Sequence, residues 1–316
     1  RGNAVLAATD DGNGTANVAV EELALVLTAP NDFTLRAGRF FGDFGQLSSR
    51  HEAELPFVHR PLALKRFIGG ESKTDGLELH YDFPFERHVT LAVGAGNQFG
   101  EFQNAPGAFR GLNELNYWAH LATELPLRAD WTLTLGVSGL LGDRGDSRNG
   151  VLVQPDASTL TEKRRRVAGL DWLLRWAPEK QQRRFEFGGE WLYSSGNFLF
   201  DPDGSLDPKR AAPGPTGDEV HGGLHARGFY TYGAFSFDHR WTTGLLFDWV
   251  ETLANVPWEE QRWSPYLTYR PSDAQLWRLQ YSRTQRGAAS RLVDEHAVYL
   301  QWTFTLGRHS HLGHSH

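Results

Sequence analysis

The sequence contains no cysteine, and this absence removes several classes of protein at once. Among 316 residues there is no Cys, so a disulfide framework, a thiolate metal site and a cysteine nucleophile are all excluded. No apolar run approaches the roughly 18 to 20 residues that a membrane-spanning helix requires, so we do not expect a helical membrane protein. The formal net charge is -6 at pH 7, and no long basic stripe favours nucleic acid as a partner.

Aromatic residues and glycine are plentiful, and together they favour an all-β protein. The chain has 11 Trp, 20 Phe, 9 Tyr and 34 Gly, a mixture that suits aromatic-rich strands and turns better than helix bundles. Hydrophobicity also alternates with a period of two, as it does when one face of a strand is apolar. The clearest example is the last strand, where one face carries Val298, Leu300, Trp302, Phe304 and Leu306.

Thirteen segments show strand character, and residues 3–9 supply a fourteenth strand. The thirteen lie near 17–28, 32–41, 76–83, 88–96, 113–125, 131–141, 164–176, 184–193, 226–237, 240–250, 262–270, 275–284 and 297–306. Short turns alternate along the chain with longer connections near 42–75, 97–112, 142–163, 197–225, 251–261 and 285–293. This alternation is typical of outer-membrane barrels. We therefore expect one antiparallel transmembrane β-barrel over 1–308, with about fourteen strands, or sixteen if residues precede Arg1.

The strands of a soluble β-sandwich or barrel also show alternating hydrophobicity. The residues on the polar faces of the strands therefore decide between a soluble β-protein and a membrane barrel. Charged and histidine side chains lie deep within the predicted strands, where a water-filled lumen tolerates them. They are Glu78, His80, Asp82, Glu114, His120, Asp171, Arg175, Glu190, Asp248 and Arg278. Tryptophans near strand ends, among them Trp131, Trp176 and Trp241, are typical of the aromatic belts at membrane interfaces. The set favours the membrane barrel.

A resemblance to a known family points the same way. The residues that carry it are Val20-Glu21-Glu22, the run Leu-Arg-Ala-Gly-Arg-Phe-Phe at 35–41, Pro56-Phe57-Val58, Arg60-Pro61-Leu62 and Phe67-Ile68-Gly69-Gly70. Later blocks are Asp171-Trp172, Arg175-Trp176-Ala177-Pro178, Gly189-Glu190-Trp191 and the ending Leu-Gln-Trp-Thr-Phe-Thr-Leu-Gly at 300–307. The sequence resembles a Gram-negative outer-membrane porin-like family of zinc-regulated or uncharacterised proteins, similar to phosphate-selective porins. The resemblance implies a channel for small solutes, trimeric as porins are.

The connection from Gly42 to Asp75 is far longer than a hairpin loop and carries apolar residues, as functional loops do. It is interpreted as a constriction loop folded into the lumen, with an external loop that packs against a neighbouring subunit as the alternative. Its charged residues would set the field of the pore: Arg50, Arg60, Lys65 and Arg66 against Asp43, Glu52 and Glu54. The wall would add Arg36, Glu78, Asp82, Asp171, Arg175, Glu190, Asp248 and Arg278, because rings of charge govern pore selectivity.

The residues at 309–316 form a separate histidine-rich tail. His309, His311, His314 and His316 have the spacing of a metal-binding tract, and imidazole suits zinc, copper and nickel. We weigh zinc capture here against a solvated tail that binds metal only adventitiously. No cofactor is expected apart from zinc at this tail.

No arrangement of residues points to catalysis. Outer-membrane phospholipases and proteases need a positioned Ser–His or carboxylate–His set, and among thirteen His a chance pairing carries no information. We therefore do not expect an enzyme.

The expected function is passive diffusion of small hydrophilic solutes or ions through a water-filled porin in the bacterial outer membrane. One alternative is an uptake facilitator for zinc or another divalent metal. The other is a structural barrel whose lumen is blocked or holds a partner. The expected surroundings and partners are outer-membrane lipid, lipopolysaccharide and two further copies in a homotrimer.

Overall fold

A computed structural model describes most of the chain. The described residues are 2–10, 16–29, 32–85, 87–100, 112, 115–143, 147–148, 151–152, 164–179, 181–200, 219–251, 259–288 and 291–304. Among them no helix combines the length and the apolarity needed to cross a bilayer.

Most of the described residues lie in β-strands. The strands are β1 Gly2–Asp10, β2 Ala16–Ala29, β3 Phe33–Phe41, β4 Lys73–Phe83, β5 Val89–Gly96, β6 Asn116–Arg128, β7 Trp131–Asp143, β8 Ser147–Arg148, β9 Val151–Leu152, β10 Arg164–Trp176, β11 Arg184–Phe200, β12 Glu219–Ser236, β13 Trp241–Glu251, β14 Glu259–Ser272, β15 Gln275–Ala288 and β16 Arg291–Phe304. The helices are one short α-helix, α1 (Leu62–Phe67), and a single 3-10 turn at Glu52–Glu54. The all-β prediction is confirmed.

Fourteen of these strands form one antiparallel sheet in simple sequence order, from β1 and β2 through to β15 and β16. Only β8 and β9 stand apart, and they pair with each other. Every strand of the large sheet therefore pairs with its neighbour along the chain, as expected for up-and-down strands joined by hairpins. The predicted antiparallel arrangement is confirmed in the described residues.

The strand ends differ from two predictions. β15 ends at Ala288 and β16 begins at Arg291, so the predicted long connection at 285–293 is wrong. Arg283 and Arg286 form ion pairs with Asp294 and Glu295 on the neighbouring strand. Because such cross-strand pairs stabilise a sheet, the ladder continues through these polar residues. The predicted connection 197–225 is also shorter, since β11 ends at Phe200 and β12 begins at Glu219.

Side chains alternate between two faces along the strands, and the chain itself covers one of these faces. On β2, Leu23 and Leu25 are exposed, whereas Ala24 and Val26 are buried. Buried strand residues, among them Ala24, cluster with buried residues of 42–72. We call residues 42–72 the inner segment and the face of the sheet that it covers the inner face. The opposite, outer face is apolar and exposed on most strands, for example at Leu300 and Trp302 of β16.

The inner segment supplies much of the buried core. Its buried apolar residues are Phe44, Leu47, Leu55, Phe57, Leu62, Ala63, Leu64, Phe67 and Ile68. The ring of Phe57 meets Tyr232 and Tyr266 edge to face, with centroids 5.6 and 6.1 Å away, and α1 packs on β11, β12 and β13. Burying one Leu or Phe side chain contributes about 1.5–3 kcal/mol, so apolar packing is one of the contributions that hold this segment against the strands.

Candidate functional site

A row of polar side chains crosses five neighbouring strands at one level of the inner face. Asp171 lies directly opposite Glu190, Glu190 opposite Tyr230, Tyr230 opposite Asp248, and Asp248 opposite Arg262. Residues directly opposite each other on antiparallel strands point to the same face. The register of β10 to β14 therefore assembles these five residues, which we call the polar belt, beneath the inner segment.

Glu190 is the centre of the polar belt. Its Oε1 accepts hydrogen bonds from the main-chain nitrogens of Gln46 and Leu47, at 2.6 and 3.0 Å, and from the hydroxyl of Tyr230 at 2.6 Å. The neighbouring Gly45 has a φ of +60°, and a Cβ there would lie 2.5 Å from Glu190 Oε2. Glycine is therefore required at this position both for the backbone conformation and for the close approach of the carboxylate.

Asp248 and Arg262 fasten the middle of the inner segment. Asp248 Oδ1 accepts a hydrogen bond at 2.9 Å from the main-chain nitrogen of Leu62, the first residue of α1. Arg262 donates from Nε to Asp248 Oδ2 at 2.9 Å and from a terminal nitrogen to the carbonyl of Arg60 at 3.0 Å. Both side chains are buried, so each supplies the charge that the other requires in a dry environment.

The beginning of the inner segment is held by a second carboxylate, Glu78 on β4. Its Oε2 accepts from the main-chain nitrogen of Asp43 and from the indole of Trp118, each at 2.6 Å. Arg36 on β3 donates to the other oxygen, Oε1, from Nε at 3.0 Å. Glu78 is therefore saturated with donors, and its charge is balanced by the guanidinium of Arg36.

A histidine joins two aspartates beside these contacts. His120 Nδ1 lies 3.0 Å from Asp43 Oδ1, and His120 Nε2 lies 3.3 Å from Asp171 Oδ2. A Cβ at Gly136 would overlap both the Asp171 carboxylate and the ring of His120. The bare backbone of Gly136 thus leaves the space that this Asp–His–Asp arrangement occupies.

Buried arginines bind the carbonyls of the inner segment from several directions. Arg165 on β10 donates to the carbonyl of Phe67 at 3.1 Å, and Arg278 on β15 donates to that of Phe57 at 3.1 Å. Within the segment, Arg60 donates to the carbonyl of Leu47 at 2.5 Å and contacts Glu71 at 3.4 Å. A buried stretch that is not part of a β-ladder needs other hydrogen-bond partners for its backbone groups. The buried arginines donate these hydrogen bonds to its carbonyl groups.

The structure brings several of the predicted pore residues into this network and leaves others outside it. Those in contact with the inner segment or with its anchors are Arg36, Glu78, Asp171, Glu190, Asp248, Arg278 and Arg60 itself. Arg66 pairs with Glu260 at 2.8 Å, and Arg175 lies 3.8 Å from Glu186. Arg50 is half-buried, whereas the remaining predicted residues are exposed, namely Glu52, Glu54, Lys65 and Asp82. Glu114 and the tail histidines lie outside the described residues.

Sequence reasoning missed several members of the network. Arg165, Tyr230, Arg262, Gly45 and Gly136 were not identified as site residues. Tyr230 and Arg262 have the strand parity of the inner face, so alternation could have flagged them. The glycines carry no such signal, because their role depends on side chains distant in sequence.

Two histidines of the inner segment have shifted pKa values. Burial lowers the pKa of His51, but the neighbouring carboxylate of Glu22, with the charges of Glu71 and Glu54, raises it more, so that the net pKa is raised. Burial, together with the charges of Lys65 and Arg262, lowers the pKa of His59 to about 4. The ring of His59 instead meets Tyr299 of β16 edge to face, with centroids 4.1 Å apart. Within the described residues, no three His, Asp or Glu side chains are grouped as a metal site.

A sequential antiparallel sheet with an apolar outer face and a polar, covered inner face is the fold of an outer-membrane β-barrel protein. Solved structures of OmpT, an outer membrane protein of Vibrio cholerae, share this fold. One form aligns over 85% of this chain and 70% of its own, with 10% identity and a TM-score of 0.52. The form described as a trimer aligns over 91% and 82%, with 8% identity and a TM-score of 0.52. The predicted bacterial outer-membrane localisation is confirmed at the level of the fold.

The sequence comparisons are less specific. No family model matches the chain, so the porin-like family is not confirmed. An uncharacterized protein of Aquifex aeolicus is 21% identical over 310 residues, which cover 92% of this chain and 62% of the relative. The chain thus spans less than two thirds of the length of that relative.

The prediction that the chain is not an enzyme is corrected by the structural neighbours. They are outer-membrane proteins named OmpT, and at 8% to 10% identity they share a fold with this chain. Since one fold hosts many unrelated functions, catalysis among them, the lack of a catalytic motif in the sequence does not exclude an enzyme.

Proposed function

We propose that the sheet closes into a transmembrane barrel, and that the protein is an outer-membrane pore in which the inner segment forms the constriction. Small hydrophilic solutes or ions would diffuse past this segment, driven by their own gradients. The short turns would face the periplasm and the long connections the exterior, the usual orientation of such barrels.

The observation that carries this proposal is the anchoring of one segment to strands from β4 to β15. Glu78 on β4, Glu190 on β11, Asp248 on β13 and Gln280 on β15 each accept a hydrogen bond from a main-chain nitrogen of residues 43–62. A loop on the outside of the barrel could not reach inner-face residues on strands so far apart in the sheet. A segment that crosses the interior supports a narrowed passage whose charge and radius set selectivity.

One observation favours a second candidate, a barrel whose lumen is blocked. The apolar side chains of the segment are almost fully buried; Leu55, Phe57 and Leu64 have 0% exposure. A lumen filled by such packing would make the chain a scaffold or anchor. Zinc uptake rests on the tail histidines and stays a prediction. A homotrimer is part of the porin proposal, supported by the trimer form of the Vibrio cholerae protein.

Single-channel recording in planar bilayers separates these functions. The wild-type protein is compared with a variant in which residues 46–70 are replaced by a short Gly-Ser turn. The proposal expects small, regular steps from the wild type and steps several-fold larger from the variant, because the constriction has been removed. A silent wild type with a conducting variant would establish the blocked barrel, and silence from both correctly folded proteins would contradict a pore.

A further inference from the structure

Arg166 is an exposed arginine of the outer face, near the start of β10, where the strand follows the long connection from β7. Its neighbours Arg165 and Val167 are buried towards the inner face, so the side chain of Arg166 points outward, as that of Leu170 does farther along the strand. Other arginines of the outer face pair with carboxylates on neighbouring strands, namely Arg39 with Asp75, Arg227 with Glu251 and Arg283 with Asp294. No carboxylate among the described residues pairs with Arg166.

The two strands beside β10 place further polar groups around this arginine. Arg166 lies opposite Ser195 of β11, and Ser195 lies opposite His225 of β12. At the next outward position of these strands, Tyr193 lies opposite Arg227. All five side chains are exposed or half-buried. Because opposite residues share a face and neighbouring strands are about 4.8 Å apart, the five form one outward surface, which we call the cationic patch.

Aromatic rings connect the cationic patch to the apolar part of the outer face. The ring of Trp191 stacks on Tyr193 with centroids 6.4 Å apart, and Tyr193 stacks on His225 with centroids 6.3 Å apart. Tryptophan and tyrosine are enriched where the hydrocarbon of a bilayer meets its headgroups. An arginine on the lipid face is tolerated near that interface and is destabilising at the midplane. We therefore place the patch at the level of the polar headgroups.

Both arginines of the patch have hydrogen-bond donors to offer at this level. Glu251 accepts from Nε and Nη2 of Arg227, at 3.3 and 2.8 Å, so that Nη1 has no acceptor among the side chains that the structure describes. The guanidinium of Arg166 has no acceptor there either. Guanidinium groups bind phosphate oxygens through paired, charge-assisted hydrogen bonds, and the hydroxyl of Tyr193 can add another donor. The patch is therefore suited to a phosphate-bearing headgroup.

We propose that the cationic patch binds a phosphate group of lipid A, the membrane anchor of lipopolysaccharide, in the outer leaflet of the outer membrane. The headgroup of lipid A is a disaccharide that bears phosphates. Its phosphates match Arg166 and Arg227, and its sugar rings match the face of Tyr193. The assignment rests on the proposed function in one respect, the orientation that places the long connections outside, because lipopolysaccharide occupies the outer leaflet.

Lipid binding to the purified protein tests the site without requiring conduction. Native mass spectrometry of the protein in detergent micelles counts bound lipid as lipid A, lipid A freed of its phosphates, or the anionic phospholipid phosphatidylglycerol is added. We expect the wild type to bind lipid A several-fold more tightly than either of the other lipids. Equal binding of dephosphorylated lipid A, or of phosphatidylglycerol, would overturn the assignment to a lipid A phosphate.

Three variants assign the binding to the patch. Arg166→Gln should weaken lipid A binding several-fold and leave the binding of dephosphorylated lipid A unchanged, whereas Arg166→Lys keeps the charge and should retain most of the affinity. Arg283→Gln is the matched control, because Arg283 is also exposed on the outer face but pairs with Asp294, and it should bind as the wild type does. Wild-type affinity in Arg166→Gln, or an equal loss in Arg283→Gln, would refute the site.

The proposed orientation is tested separately in intact cells. The chain has no cysteine, so Asp273→Cys, in the short turn between β14 and β15, supplies the sole thiol. A maleimide-linked polyethylene glycol too large to cross the outer membrane should label it only after the cells are broken. Labelling of intact cells would place the cationic patch in the inner leaflet and overturn the assignment to lipid A.

The lipid site and the proposed pore can fail independently. Binding in micelles does not depend on an open passage, so a silent bilayer together with lipid A binding that depends on Arg166 would refute the pore and leave the site in place. Regular conductance steps from a protein that shows no preference for lipid A would refute the site and leave the pore in place.

Discussion

The carboxylate of Glu190 lies 2.6 Å from the main-chain nitrogen of Gln46, a residue 144 positions earlier in the chain. This one contact ties the inner segment to the middle of the sheet. The same Glu190 oxygen accepts from Leu47 and from the hydroxyl of Tyr230, so a single side chain fixes both a wall strand and the segment that crosses in front of it.

Replacing this carboxylate should therefore destabilise the fold. We expect Glu190→Gln to lower the free energy of unfolding by about 1–3 kcal/mol, because buried donors lose a charged acceptor. The control is Glu186→Gln on the same strand, where the side chain is 41% exposed and should cost little. Urea unfolding of both variants in detergent checks this, and equal losses would contradict the anchoring role of Glu190.

Gly136 should not tolerate even a methyl group. A Cβ there would overlap Asp171 and His120, so Gly136→Ala should cost about 1–3 kcal/mol through overpacking. Gly139→Ala on the same strand β7 is the matched control, since a Cβ at Gly139 would meet no atom within 4 Å. Thermal unfolding of the two variants should differ clearly. A harmless Gly136→Ala would show that the Asp–His–Asp arrangement can move aside freely.

Buried and exposed ion pairs of the sheet should differ in cost. Asp248→Asn leaves Arg262 buried without a charged partner and should cost about 3–5 kcal/mol. Asp294→Asn breaks an ion pair in which the side chain of Asp294 is 37% exposed and that of Arg283 is 48% exposed. Solvent screens such a pair, so its loss should change stability little. Unfolding measurements on both single variants test the contrast, and comparable losses would contradict the burial of the polar belt.

The neutral state of His59 predicts a loss of stability in acid. Its pKa is about 4 in the folded protein and near 6.5 when unfolded, so the unfolded chain binds the proton first. Stability should be full above about pH 6.5 and fall as the pH drops toward 4. His59→Gln cannot be protonated and should weaken this dependence in unfolding curves at successive pH values, whereas an unchanged slope would exclude His59 as its source.

The period-two alternation predicted most strands, but it did not predict the hydrogen-bond partners of their buried side chains. It placed Glu78, Glu190 and Asp248 on one face, because alternation depends only on neighbours in sequence. It could not show that their carboxylate oxygens accept hydrogen bonds from the main-chain nitrogens of Asp43, Gln46 and Leu62. Those contacts depend on how segments that are distant in the sequence meet in the fold. Charge alone was also misleading at Arg60, which is fully buried among carbonyls rather than exposed in a passage.

The same limit explains the error at β15 and β16. The stretch 285–293 contains Arg286, Gly287, Ser290 and Arg291 and shows no period-two alternation of apolar residues, so it resembled a loop. In the structure the ladder continues from Gln285 opposite Asp294 to Ala288 opposite Arg291, because cross-strand ion pairs take the place of apolar packing at this end of the strands.

The central claim is that the inner segment borders a conducting passage, and thiol accessibility at Arg50 tests it most directly. Arg50 is a half-buried cation of the inner segment, and Arg50→Cys would be the only thiol of the chain. During single-channel recording, a charged methanethiosulfonate reagent is added, with Asp273→Cys in a short turn as the control. We predict a stepwise fall in conductance for Arg50→Cys and none for Asp273→Cys. If mass spectrometry confirms that the introduced thiol of Arg50→Cys is modified and the conductance is nevertheless unchanged, the segment lies away from the ion path.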